Sequence, residues 1–210
     1  MDDIEEYLSH LEGIIGQDAI NQERIYLSGL SKEELEEKKA KFAFERTYEA
    51  SYEQARQRQP IIWESVRKKT SETNVLIQIY NCTRNSFSMT NSTWNSEPGD
   101  LDIPPGNCIA FTLPGVLLRR INRANTSFRS SQVSHHFTYR SGDYAFDFST
   151  ASQLTMRYEA FSFGNTISVS RRHSIRSIGQ SEILCDYLLE QNQSASPYSY
   201  AIAIKIRDPF

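Results

Sequence analysis

The chain has 210 residues, a net charge of −3, 39% apolar and 23% charged side chains, which is enough to fold around a core of its own. No apolar run approaches the ~18 residues of a spanning helix. The acidic start Met1-Asp2-Asp3-Ile4-Glu5-Glu6 lacks the basic-then-apolar pattern of a secretory leader. The chain is therefore expected in the cytoplasm or released by a non-classical route. Residues 1–72 hold 16 acidic and 11 basic side chains, and residues 73–210 hold 10 and 12, so neither part has the strongly basic face of a nucleic-acid binder. Three scattered cysteines, Cys82, Cys108 and Cys185, with no Cys-x-x-C, predict neither a disulfide framework nor a zinc site.

Along the chain, Asp2 or Asp3 can cap a first helix whose Ile4, Tyr7, Leu8, Leu11, Ile14 and Ile15 share one face, with Gly16 ending it. A second helix is predicted over 18–28, stopped by Gly29. Ser31-Lys32-Glu33-Glu34 is a capping box that starts a third helix reaching Gln59, after which Pro60 kinks or restarts it. Ile61, Ile62, Trp63 and Val66 add an apolar segment, and residues 70–73 form a linker.

Composition changes near residue 72. Ser and Thr number 8 before it and 30 after it, and six of the seven prolines follow it. The second part reads as short strands. Residues 75–80 form a near-continuous β-rich run suited to a central strand. Phe87 to Trp94 and Cys108 to Leu113 are further strands, and residues 136–139 and 144–148 form a hairpin about Ser141-Gly142-Asp143. A second hairpin is predicted from Glu159–Phe163 and Thr166–Ser170, turning at Gly164-Asn165. Ile183, Leu184, Tyr187 and Leu188 have helical spacing after a Ser181 cap. The last strand alternates Tyr198, Tyr200, Ile202, Ile204 and Ile206 with polar or small residues. The fold class expected is α+β: a helical segment over 1–72, for oligomerisation or membrane insertion, and an antiparallel β-sandwich over 73–210, for recognition.

Residues 74–208 resemble the actinoporin-like cytolysin sandwich, shared more loosely by aegerolysins and fungal lectins of the same shape. The features that carry the resemblance are the run Val75 to Thr83, the turn Ile103-Pro104-Pro105-Gly106-Asn107, the hairpin Phe137 to Phe148, the aromatic stretch Tyr158 to Phe163 and the final strand Tyr200 to Ile206. In that family an aromatic stretch and the tyrosines of a short helix bind phosphocholine headgroups. The resemblance implies that Tyr158, Phe161, Phe163 and Tyr187 do so here. The tryptophan pair expected in that stretch is absent from residues 158–163, and one tyrosine stands on residues 181–189 where several are expected. Aromatic faces hold quaternary ammonium groups by cation–π attraction.

Other chemistry is sparse. His135 and His136 are strand neighbours that point to opposite faces, so they cannot chelate one metal. Asp143 and Asp147 would share a face of a hairpin. Arg171, Arg172, His173 and Arg176 could bind phosphate or form a solvated loop. No nucleotide, zincin or hydrolase motif is present, and neither catalysis nor a metal or cofactor is expected. The reading is a membrane-binding, pore-forming toxin-like protein. Its sandwich recognises choline-type headgroups, while Ile4, Tyr7, Leu8, Leu11, Ile14 and Ile15 serve insertion or homo-oligomerisation. A non-enzymatic assembly or interaction protein is one alternative, and a glycan-binding lectin on the same fold is another.

Overall fold

The computed structural model describes residues 5, 8–9, 17–68, 72–94, 101–117, 128–159 and 164–209. They form two compact units, Met1–Ala50 and Ser51–Phe210.

In the first unit, helix α1 (Gln17–Ser28) is followed by the start of α2 (Lys32–Arg67). The capping box forms as the sequence predicts. The Ser31 backbone N–H and hydroxyl donate to the Glu34 carboxylate at 2.8 and 2.7 Å, and the Glu34 N–H donates back to the Ser31 hydroxyl at 3.3 Å. Those bonds hold the Glu34 carboxyl below its usual range. Leu8, Ile20 and Leu27 are buried together, with Leu30 and Leu35 packed against them. Of the first expected helix, Glu5, Leu8 and Ser9 are described and are helical. Ile4, Tyr7, Leu11, Ile14 and Ile15 lie outside the described residues.

Helix α2 runs through Pro60 as one element, so the helix does not restart there. Pro60 is solvent-exposed, so water can take the carbonyl that its missing N–H leaves free. The next turn is held from the other side: Trp63 and Val66 are buried on Leu76 and Ala201, with Ile62 alongside.

The second unit adds eight strands: β1 (Glu72–Cys82), β2 (Ser88–Ser92), β3 (Cys108–Leu117), β4 (Phe128–Ser141), β5 (Tyr144–Glu159), β6 (Gly164–Ser177), β7 (Leu184–Asn192) and β8 (Tyr200–Arg207). They form two sheets, β3-β1-β8-β7 and β2-β4-β5-β6. All neighbours are antiparallel except β1 and β8, which run parallel. The sheets pack as a sandwich, so the chain is α+β with two antiparallel-rich sheets. The shared core takes Val75, Ile77, Ile79, Ile202, Ile204 and Ile206 from the first sheet and Phe137, Tyr139, Phe146 and Phe148 from the second. Helix gives way to strand between Arg67 and Glu72, whereas the second compact unit begins at Ser51, within α2.

Two local expectations change. Residues 184–189 are strand, not helix. Cys185, Tyr187 and Leu189 face Ile206, Ile204 and Ile202 across the β7–β8 ladder, and pairing with a long apolar neighbour overrides the helical spacing. Gly164 and Asn165 are not a turn either: they lie in β6 and pair with Glu159 and Tyr158. Asn81, which opens the Asn-x-Thr sequence Asn81-Cys82-Thr83, is fully buried. Its amide donates to the carbonyls of Asn85, Ile103 and Pro104 at 2.7–3.0 Å, so it is a structural clamp closed to modification.

Candidate functional site

Of the four expected headgroup residues, Tyr187 has a described side chain. It projects between the sheets where edge strands β6 and β7 meet, and it is 41% exposed. Its ring lies edge-on to His173 at 5.8 Å and Phe148 at 6.3 Å, and its hydroxyl donates to the His173 carbonyl at 3.3 Å. Behind it, the Thr150 hydroxyl bridges His173 Nδ1 at 2.9 Å and the Tyr200 hydroxyl at 2.8 Å. Arg171 lies 4.9 Å from the Tyr200 ring centroid and donates to the Gln193 and Tyr198 carbonyls and to Asn192 Oδ1.

Burial and the nearby Arg171 hold the His173 imidazole below its usual range, and burial pushes the Tyr200 hydroxyl up. Arg171 therefore closes the 193–198 loop, and His173 fills a half-buried polar seam.

Tyr158 sits elsewhere. His173 pairs with Thr150, and Tyr158 is eight residues further along β5, about 27 Å at ~3.4 Å per residue. The structure therefore does not bring Tyr187 and Tyr158 together. Phe161 and Phe163 lie outside the described residues, as does the Tyr158 side chain.

The outward side of β4, β5 and β6 gathers different chemistry. Strand alternation splits the basic cluster: Arg171 and His173 face inward, while Arg172 and Arg176 face solvent. The histidine pair divides as its alternation predicts. His135 is buried and its Nε2 donates to the Pro114 carbonyl at 2.7 Å. His136 faces outward, with Nε2 3.6 Å from Asp147 Oδ1. That carboxylate also accepts from the Thr138 hydroxyl at 2.7 Å and from Arg176 at 3.4 Å. Asp143 lies in the turn before β5, so the two aspartates share no strand.

Next to this network the Ser149 and Ser174 hydroxyls are 2.8 Å apart. Ala151 stands between Ser134 on β4 and Arg172 on β6, and its small side chain floors a cup of about 330 Å³ walled by His136, Ser149, Arg172 and Ser174. The outward set also includes Arg140 and Arg157. The described side chains of this face include four arginines and one carboxylate, Asp147, which Arg176 contacts. Arg172 has no ion-pair partner among the described residues.

The sequence marks Asp147, His136, Arg172 and Arg176 separately, but not the hydroxyls beside them or their grouping. The signal was present as small polar residues at every second position of three strands, but their grouping depends on register. Among the described residues no three His, Cys, Asp or Glu side chains cluster as a metal site, and no helix is long and apolar enough to cross a membrane. No protein-family model matches the chain, and no curated protein matches it.

Proposed function

We propose that this is a non-enzymatic, membrane-binding protein of the pore-forming toxin type, its sandwich of the actinoporin-like kind, and that the outward face of β4–β6 meets lipid phosphate. The observation that carries the reading is the set Arg140, Arg157, Arg172 and Arg176 on one solvent-facing, hydroxyl-rich sheet surface with Asp147 as its described carboxylate. Guanidinium groups engage phosphate oxygens bidentately, and neighbouring hydroxyls supply further donors. Each basic residue near an anionic leaflet is worth ~1 kcal/mol. Four arginines against one aspartate therefore give about 3 kcal/mol, roughly a hundredfold in binding. That is too little for stable attachment alone. Tyr187, half-exposed at the sandwich flank, supplies the interfacial aromatic contact that the choline-type reading assigns to it.

A second reading has its own observation. Ile25 and Tyr26 on α1 are 73% and 55% exposed, so the helical unit offers an apolar edge to a second copy or a partner. Vesicle flotation separates the readings. The protein should float with vesicles containing anionic phospholipid more than with pure choline-lipid vesicles, and added salt should reduce the difference. Arg140→Glu/Arg172→Glu should abolish the anionic preference without lowering the melting temperature, and Tyr187→Ala should weaken binding to both vesicle types. Undiminished flotation of the double arginine variant would refute the phosphate-facing surface. Binding to immobilised glycans with no flotation would favour the lectin alternative. Self-association without either would favour the assembly reading.

A further inference from the structure

Three strands bring two kinds of ligand group together around Ala151. The row Ser134–Ala151–Arg172 crosses β4, β5 and β6 at one register level, and the row His136–Ser149–Ser174 crosses beside it, about 7 Å along the strands. Ala151 ends at Cβ, so the cup of about 330 Å³ opens over it. Donors reach solvent on three sides: Ser134 on β4, Arg172 on β6, and the Ser149–Ser174 pair. Whichever serine donates across the 2.8 Å contact, one hydroxyl proton of the pair is left for a ligand. Asp147, two residues along β5 from Ser149, faces His136 but is outside the wall, and it already accepts from Thr138 and Arg176. On the other side of Ala151 the chemistry changes to amides, with Gln132 and Gln153 as register partners. Gln132 is exposed, and Gln153 Nε2 donates to the Ser130 hydroxyl at 2.7 Å, which leaves its Oε1 as an acceptor.

We propose that this cup binds a phosphorylated polyol, its phosphomonoester set against Arg172 and the serine hydroxyls and its ring hydroxyls against the two glutamines. The proposal rests on the phosphate-facing reading of the β4–β6 surface and specifies the ligand. A terminal phosphomonoester has three free oxygens for donors on three sides, whereas a phosphodiester has two and a second substituent in place of the third. Arg172 takes two oxygens bidentately, and Ser134 or the spare hydroxyl of the serine pair takes the third. The glutamine row lies about 7 Å from the Ser134–Arg172 row, the reach of a six-membered ring carrying a phosphate. Amides both donate and accept, as polyol hydroxyls do. A neutral sugar leaves Arg172 unused, and free phosphate leaves the amides unused. The volume is at the lower end of small-ligand pockets, which suits one such ring. The same chemistry is carried by a phosphoinositide headgroup in a membrane and by a soluble inositol phosphate.

The test uses the full chain with myo-inositol monophosphate, myo-inositol trisphosphate, free myo-inositol, inorganic phosphate and the diester glycerophosphoinositol, read by backbone NMR shifts and calorimetry. At least one inositol phosphate should shift Ser134, Ala151, Gln153 and Arg172 saturably. Inorganic phosphate and the diester should bind on the order of tenfold more weakly, and free inositol more weakly still. Ala151→Leu fills the cup without changing charge and should abolish the response. Arg172→Gln and Gln153→Ala should each cost on the order of tenfold, and all three variants, being on the solvent side, should melt near wild type. The proposal is overturned if neither inositol phosphate shifts the wild-type protein, if the diester or inorganic phosphate binds as tightly, or if Ala151→Leu responds as wild type does. Flotation assigns the source. Preference for phosphatidylinositol monophosphate vesicles over phosphatidylserine vesicles of equal charge, competed by the soluble trisphosphate, places the ligand on a lipid. Tight soluble binding without that preference makes it a free inositol phosphate. Protein that floats with phosphatidylserine yet ignores every inositol phosphate loses the cup and keeps the phosphate-facing surface, whereas tight soluble binding with no flotation keeps the cup and removes the membrane.

Discussion

Replacing Trp63 with alanine tests whether the end of α2 belongs to the sandwich energetically as well as geometrically. Trp63 is 8% exposed and covers Leu76 and Ala201, both fully buried, on central strands β1 and β8. An aromatic side chain buries ~150–250 Å², which at ~25 cal/mol per Å² corresponds to about 4–6 kcal/mol. Partial collapse of neighbours brings the usual cost of Trp→Ala to ~3–5 kcal/mol. For a unit of this size each kcal/mol moves the midpoint by ~2–4 °C, so Trp63→Ala should lower it by roughly 6–20 °C.

The chain has two tryptophans, so the variant keeps Trp94 as its sole indole. That ring packs against Phe111 at 5.9 Å and Phe137 at 5.8 Å, inside the sandwich. Its fluorescence therefore reports the melting of the β core rather than of the helix. If Trp94 melts at the wild-type temperature while helical circular dichroism is lost earlier, helix docking contributes nothing to the sandwich and the reasoning fails.

Truncation extends this test: a chain beginning at Ser51 should melt as the full-length sandwich does, whereas one beginning at Thr73 uncovers Leu76, Tyr80 and Ala201 and should melt lower or aggregate, as light scattering during the melt would show. Thr150→Val removes the hydroxyl bridging His173 and Tyr200 and should cost about 1–3 kcal/mol in urea denaturation, with Thr150→Ser recovering most of it. His173 is held below its unfolded value of 6.5, so the unfolded chain binds the proton more readily; stability should be complete above that pH and fall as the pH drops through it, and His173→Gln should flatten this part of the profile. Gly179→Ala would place a Cβ 2.2 Å from the Asp143 carbonyl oxygen and 2.6 Å from the Ala145 nitrogen, both backbone atoms, so it should destabilise by more than about 2 kcal/mol in the same denaturation assay.

The elements legible in the sequence are those decided by local physics. The Ser31–Glu34 box, the stop at Gly29 and the alternation of Tyr200, Ile202, Ile204 and Ile206 are each written within a few residues. Strand β7 was harder to read. It carries inward Cys185, Tyr187 and Leu189, and its outward Leu188 is 65% exposed, so apolar residues fall on both faces and mimic helical spacing. The ladder to β8 decides the matter, and a ladder is not written in either strand alone. The candidate site shows the same limit. Arg172 and Arg176 are neighbours in sequence, but their hydroxyl and carboxylate companions come from β4 and β5 through register.

The contrast between β1 and β5 carries the functional argument one step further. Val75 to Tyr80 is buried at every position because one side of β1 meets the core and the other meets α2. Phe146, Phe148 and Thr150 are buried, whereas the alternating Asp147, Ser149 and Ala151 are partly exposed, because no described element lies over that side. A continuous apolar run therefore marks the covered sheet, and strict alternation marks the open one. Selection for folding alone would be met by any soluble mixture of charges on the open side. A described set of four arginines to one carboxylate, laid over rows of hydroxyls, departs from a mixed surface in the direction that phosphate recognition requires.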